Sequence, residues 1–125
     1  MATRALTIDT HDETVGDGIV VLDFWASWCQ PCLRFAPVFE RASERHADIT
    51  FAKVNTEEEQ ELAQRYDVSA IPTLVIYRDG IPVYSEAGAL PEPMLESLIS
   101  QVRDLDMDDV RARYAQQQAE AALSE

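Results

Sequence analysis

The chain has 125 residues, 46% of them hydrophobic and 26% charged, which is the balance of one globular domain large enough to build its own core. Ten Lys and Arg stand against 23 Asp and Glu, a formal net charge of −13. Such a charge excludes a phosphate-binding face, so neither nucleic acid nor an acidic membrane surface is an expected partner, and it favours a soluble monomer.

No stretch approaches the roughly 18 to 20 apolar residues of a membrane span. The first residues read MATRALTIDTHDETVGDG, with one Arg, several acids and no apolar centre, so no secretory or transit signal is expected and a cytoplasmic location follows. Cys29 and Cys32 are the two cysteines, three positions apart. A pair that close is not a disulfide framework; in a reducing compartment it points to metal binding or to catalysis.

In chain order, Ala5 to Ile8 is a short strand, and Thr10 to Gly16 a brief helix capped by Asp9 or Thr10. Ile19-Val20-Val21-Leu22-Asp23-Phe24-Trp25 is a nearly continuous apolar run rich in β-branched residues, the pattern of a central strand covered on both faces. Only Asp23 interrupts it. Pro31 opens a helix, where its missing N–H costs nothing, and Phe35, Val38, Phe39 and Ala42 follow at helical spacing. Pro37 lies inside that pattern and should kink it. His46 sits at the helix end.

Ile49 to Asn55 is the next strand. Thr56 is the expected cap of a helix running to about Tyr66, with Glu57, Glu58 and Glu59 in its positive first turn. Thr73 to Tyr77 is a strand, Asp79-Gly80 a tight turn, and Ile81 to Glu86 the returning arm of a hairpin. Glu92 to Val102 is an amphipathic helix. Residues 104–125 then predict an extra helix, anchored by Met107, Val110 and Tyr114 and weakly anchored beyond Gln116. The order β-α-β-α-β-α-β-β-α predicts an α/β fold, a central mixed sheet flanked by helices. Residues 1–103 form the domain and 104–125 the C-terminal helical extension.

The chemistry concentrates in Trp28-Cys29-Gln30-Pro31-Cys32, between the central strand and a helix start. The carboxyl end of a buried strand is where open α/β sheets place their sites. The free N–H groups and partial positive charge of a helix N-terminus stabilise an anion, so Cys29 should ionise more readily than a free thiol. Cys32, one turn on, can attack a mixed disulfide formed at Cys29. A C-x-x-C at a strand-helix junction is thus suited to two-electron thiol-disulfide exchange. Asp23, a carboxyl inside an apolar strand, should have a raised pKa and can act as a base near neutral pH.

These residues carry a family resemblance. Val21 to Ala26, Trp28-Cys29-Gln30-Pro31-Cys32, Pro37, Ala52-Lys53-Val54-Asn55, Ile71-Pro72-Thr73, Asp79-Gly80 and Gly88-Ala89-Leu90 match the thioredoxin family in order and spacing, over about Leu6 to Val102. The resemblance implies a thioredoxin fold and protein-disulfide reductase activity. It implies that Cys29 is the nucleophile, Cys32 the resolving thiol and Asp23 the buried acid beneath it, with Lys53 close by. Pro72 would be a cis-proline facing the disulfide. Trp28, Ile71, Pro72, Gly88 and Ala89 would line a groove for an extended target segment. The implied partners are disulfide-containing target proteins and a thioredoxin reductase as electron donor, and no cofactor is implied. Two features depart from the common pattern: Gln-Pro replaces Gly-Pro between the cysteines, and the C-terminal extension is additional. Gln30 is neutral and brings no cation to the thiolate, so a strongly oxidising couple is not expected.

Zinc is the competing use of the cysteines, but it takes four ligands and only His11 and His46 remain, without motif spacing. A redox-silent scaffold used for binding is the other alternative, since fold alone does not fix function.

Overall fold

The run at 19–25 does form the central strand. In the computed structural model, which describes residues 2–123, the elements are β1 (Thr3–Ala5), α1 (His11–Val15), β2 (Ile19–Trp25), α2 (Gln30–Arg45), β3 (Thr50–Asn55), α3 (Gln60–Arg65), β4 (Thr73–Arg78), β5 (Ile81–Ala87), α4 (Glu92–Arg103) and α5 (Met107–Leu123). The sheet order is β1-β3-β2-β4-β5. β1, β3 and β2 run parallel, while β4 is antiparallel to β2 and β5 antiparallel to β4. This is the expected mixed sheet.

Alternation along β2 divides the core. Val21 points to the face covered by α2 and α4, where it meets Phe35, Phe39, Phe51, Leu95 and Ile99. Val20, Leu22 and Phe24 point to the other face, against Val15 of α1 and Leu62 of α3. Fully buried side chains such as Phe39 and Phe51 each contribute about 1.5–3 kcal/mol by leaving water. Asp23 and Trp25 share the parity of Val21, so both lie on the α2 face.

Three boundaries differ from the sequence reading. The first strand is Thr3–Ala5, where it pairs with Phe51 to Lys53, and not Ala5–Ile8. Beyond Ala5 only the Leu6 N–H still reaches the Lys53 carbonyl, and the chain turns at Thr7–Thr10. Thr10 does occupy the N-cap of α1, but its hydroxyl engages Thr7 and makes no cap hydrogen bond. α2 begins at Gln30, one residue before Pro31, and runs through Pro37 to Arg45. α3 begins at Gln60, not just after Thr56. The Asn55 carboxamide oxygen accepts the N–H groups of Glu57 and Glu58, and the Thr56 hydroxyl donates to the Trp25 carbonyl. Those bonds hold 56–59 as a loop and delay the helix.

The Asp79-Gly80 turn takes φ of 52° and 83°, the left-handed pair a tight two-residue hairpin needs. His46 is the C-cap of α2, its ring 2.8 Å from Glu96 of α4. α5 starts on the buried Met107, and its far end is exposed, Leu123 at 85%. Arg78 fastens the junction: its Nη1 donates to the carbonyls of Val102, Arg103 and Leu105 at 2.7, 3.1 and 3.1 Å.

Candidate active site

Cys29 is the N-cap of α2, with extended backbone. Its sulfur accepts the backbone N–H of Cys32 at 3.2 Å, and Cys32 lies in the first turn. The sequence places a small polarisable side chain where Ser or Asp would ordinarily cap, so one of the helix's first free donors is met by sulfur. The two sulfurs are bonded to one another, with the α-carbons 5.2 Å apart. Both cysteines are buried in a small cluster with Ala26, flanked by Trp25 and Ile71.

The loop before β4 faces this pair. The Ile71–Pro72 peptide is cis, and the Cys29 sulfur lies 3.7 Å from the Ile71 carbonyl oxygen. Gly88, at φ 114°, donates its N–H to the Pro72 carbonyl at 2.8 Å, which ties the end of β5 to the same loop. Gly88 and Ala89 are exposed, Ile71 half-buried and Pro72 buried. Trp28 is 65% exposed beside the cysteines, and its indole N–H donates to the Glu57 carboxylate at 2.5 Å.

Asp23 is 1% exposed, and both its carboxyl oxygens lack a hydrogen-bond partner among the described residues. Burial pushes its pKa up to about 7, and the charge of Lys53 works against that rise. Lys53 is its register partner on β3. The Lys53 ammonium lies 4.4 Å from the Trp25 ring centroid. Cys29 thus adjoins the Ile71–Pro72 loop through its sulfur, and Asp23, Lys53 and Trp25 adjoin one another across β2 and β3. Two residues beyond those named for the site join it: Trp25, half-buried under the Lys53 cation, and Glu57, expected in a first helical turn, which holds Trp28. The signal for Trp25 was its parity with Asp23; nothing in the sequence pointed to Glu57.

The two histidines are engaged elsewhere: His11 with Asp12 and the Tyr66 hydroxyl, His46 with Glu96. A dithiol that closes to a disulfide at a helix N-terminus is the apparatus of a thiol-disulfide oxidoreductase. The comparisons narrow that class. The Thioredoxin family model matches residues 2–101. The chain is 50% identical over 121 residues to "Putative thioredoxin 2" of Streptomyces coelicolor, covering 96% of this chain and 90% of that one. It is 40% identical over 103 residues to the thioredoxin of Alicyclobacillus acidocaldarius, covering 81% and 98%. A solved mutant thioredoxin from Halobacterium salinarum superposes with a TM-score of 0.76 at 34% identity, covering 82% of this chain and 92% of that one. The chain belongs to the thioredoxin family. It is a protein-disulfide reductase whose redox centre is the Cys29–Cys32 pair.

Proposed function

We propose the following division of labour within that activity. In the reduced state Cys29 is the attacking thiolate, stabilised by the Cys32 N–H and the N-terminus of α2. It attacks one sulfur of a target disulfide; the target's other sulfur leaves and takes a proton. Cys32 then loses its proton to Asp23 and attacks the Cys29 sulfur. The second target thiol departs, and the Cys29–Cys32 disulfide is left. Two electrons have passed to the target. Asp23 suits the acceptor role because a pKa of about 7 matches a proton exchanged near neutral pH. Lys53 would compensate the carboxylate once formed.

The surface bounded by Trp28, Ile71, Pro72, Gly88 and Ala89 would seat an extended target segment. Recharging falls to a thioredoxin reductase, with the protein working as a cytoplasmic monomer and needing no bound cofactor. Residues 1–103 would carry this unit, with 104–125 as an extension not needed for it. The observation that carries the reading is the Cys29 sulfur held as the N-cap of α2 and bonded to Cys32. The test is reduction of insulin disulfides with thioredoxin reductase and NADPH supplied. Turnover that disappears in Cys29→Ser is expected. No turnover from a pair that reduces readily with a chemical dithiol would overturn the reductase coupling.

A further inference from the structure

We propose that Trp25 is a positioning residue for the proton chemistry of the cysteine pair: its indole face holds the Lys53 ammonium beside Asp23. This rests on the reading of Asp23 as the proton acceptor, and it assigns the residue that controls which way Lys53 points.

The geometry begins with parity. Asp23 and Trp25 stand on the same face of β2, two residues apart, and Lys53 is opposite Asp23 on β3. The Lys53 stem is long enough to swing along the strand or outward. Outward lies a cleft of about 200 Å³ between β1 and the 56–59 loop, bordered by Arg4, Asn55, Glu58 and Glu59 as well as by Trp25 and Lys53. Glu58 and Glu59 would draw a free ammonium into that cleft, away from Asp23. The indole competes with them, its ring centroid 4.4 Å from Nζ. A cation over the negative face of Trp is held best where solvent is partly excluded, and Trp25 is half-buried.

The charged groups around Lys53 are thus Asp23 on β2, Arg4 on β1, and Glu58 and Glu59 in the loop before α3. Around Asp23, β3 presents Lys53 and β4 presents the apolar Leu74. Among the described residues, Lys53 is therefore the cation positioned to favour the charged form of Asp23, whose oxygens no hydrogen bond there relieves. Loss of the indole face should act on Asp23 only through Lys53.

The test is NMR titration of the Asp23 carboxyl carbon in the reduced full chain, in wild type, Trp25→Leu, Trp25→Phe, Lys53→Met and the Trp25→Leu/Lys53→Met pair. Removing the cation raises the midpoint, by at least about half a pH unit on the scale of charge effects at a few ångströms. The expected result is that Trp25→Leu moves the midpoint up as Lys53→Met does, and that the double variant moves no further. Trp25→Phe, which keeps a weaker ring face, should fall between. An unmoved midpoint in Trp25→Leu, or shifts that add in the double variant, would overturn the inference. If the leucine variant does not fold, Trp25→Phe with and without Lys53→Met carries the same comparison. A wild-type rate of mixed-disulfide resolution in Asp23→Asn would instead sink the role given to Asp23, and the NMR outcome stands apart from that.

Discussion

Asp23 and Lys53 face each other in register across β2 and β3, yet neither carboxyl oxygen of Asp23 has a hydrogen-bond partner among the described residues. A buried carboxyl in that state ionises at the expense of the fold. Its pKa is raised from an ordinary 3.8 to about 7, so the native chain binds the proton more tightly than the unfolded one. The stability this proton provides is complete below pH 4 and is lost between pH 4 and 7. Asp23→Asn should therefore be more stable than wild type at pH 8, by about 2–4 kcal/mol, with the gap closing toward pH 4. Urea unfolding at the two pH values checks this; a variant less stable at pH 8 would contradict it.

The same carboxyl makes a kinetic prediction. Resolution of a mixed disulfide by Cys32 should quicken as pH rises through about 7, where Asp23 becomes able to accept the proton. Asp23→Asn should lose that step and resolve about a hundredfold more slowly at pH 7, the low end of the usual general-base contribution of about 10²–10⁴. Stopped-flow tryptophan fluorescence against a model disulfide reads it directly.

Trp28 stands 65% exposed, pinned by Glu57. An aromatic side chain in that position contributes contact area to a docked chain and little to the fold. Trp28→Ala should raise KM for a protein disulfide several-fold and leave kcat within about twofold. Its stability should change by less than about 0.5 kcal/mol. Equal effects on a protein disulfide and on a small-molecule disulfide would show that Trp28 acts on the chemistry and not on docking.

Arg78 links the end of β4 to the α4–α5 junction through three carbonyls. Hydrogen bonds from a charged donor to carbonyls at a helix end are worth about 1.5–3 kcal/mol together with their burial. Arg78→Met should destabilise by that order and release the amides of α5 to hydrogen exchange. Truncation after Arg103 should leave insulin reduction intact, because α5 shares a cleft with Ile81 to Val83 at the start of the β5 edge strand, the opposite end of β4 from the Ile71–Pro72 loop. Loss of activity in a truncated chain that still folds would show that α5 serves the reaction.

The part of this legible in the sequence was the part written in local patterns. β2 showed as a β-branched run with one acid, α2 as an apolar stripe behind Pro31, and the site as a C-x-x-C at their junction. What stayed hidden depends on contacts between distant positions. Thr56 followed by three glutamates has the form of a helix start, but Asn55 and Trp25 take up the first amides and the hydroxyl, so α3 waits until Gln60. Thr3 pairs in β1 because Phe51 lies opposite, which no periodicity in a three-residue strand announces. Arg78 stands beside the Asp79-Gly80 turn with no pattern to mark it, and its three carbonyl partners come from 24 to 27 positions away. The Lys53–Trp25 contact needs the register of β2 on β3.

The most direct test of the central claim is to trap the mixed disulfide. Cys32→Ser, reduced and mixed with a target disulfide, should accumulate a stable adduct, and peptide mapping by mass spectrometry should place the target on Cys29. Cys29→Ser should form no comparable adduct. An adduct on Cys32 of the Cys29→Ser chain, at an equal or faster rate, would contradict the assignment of the N-cap thiolate as the nucleophile.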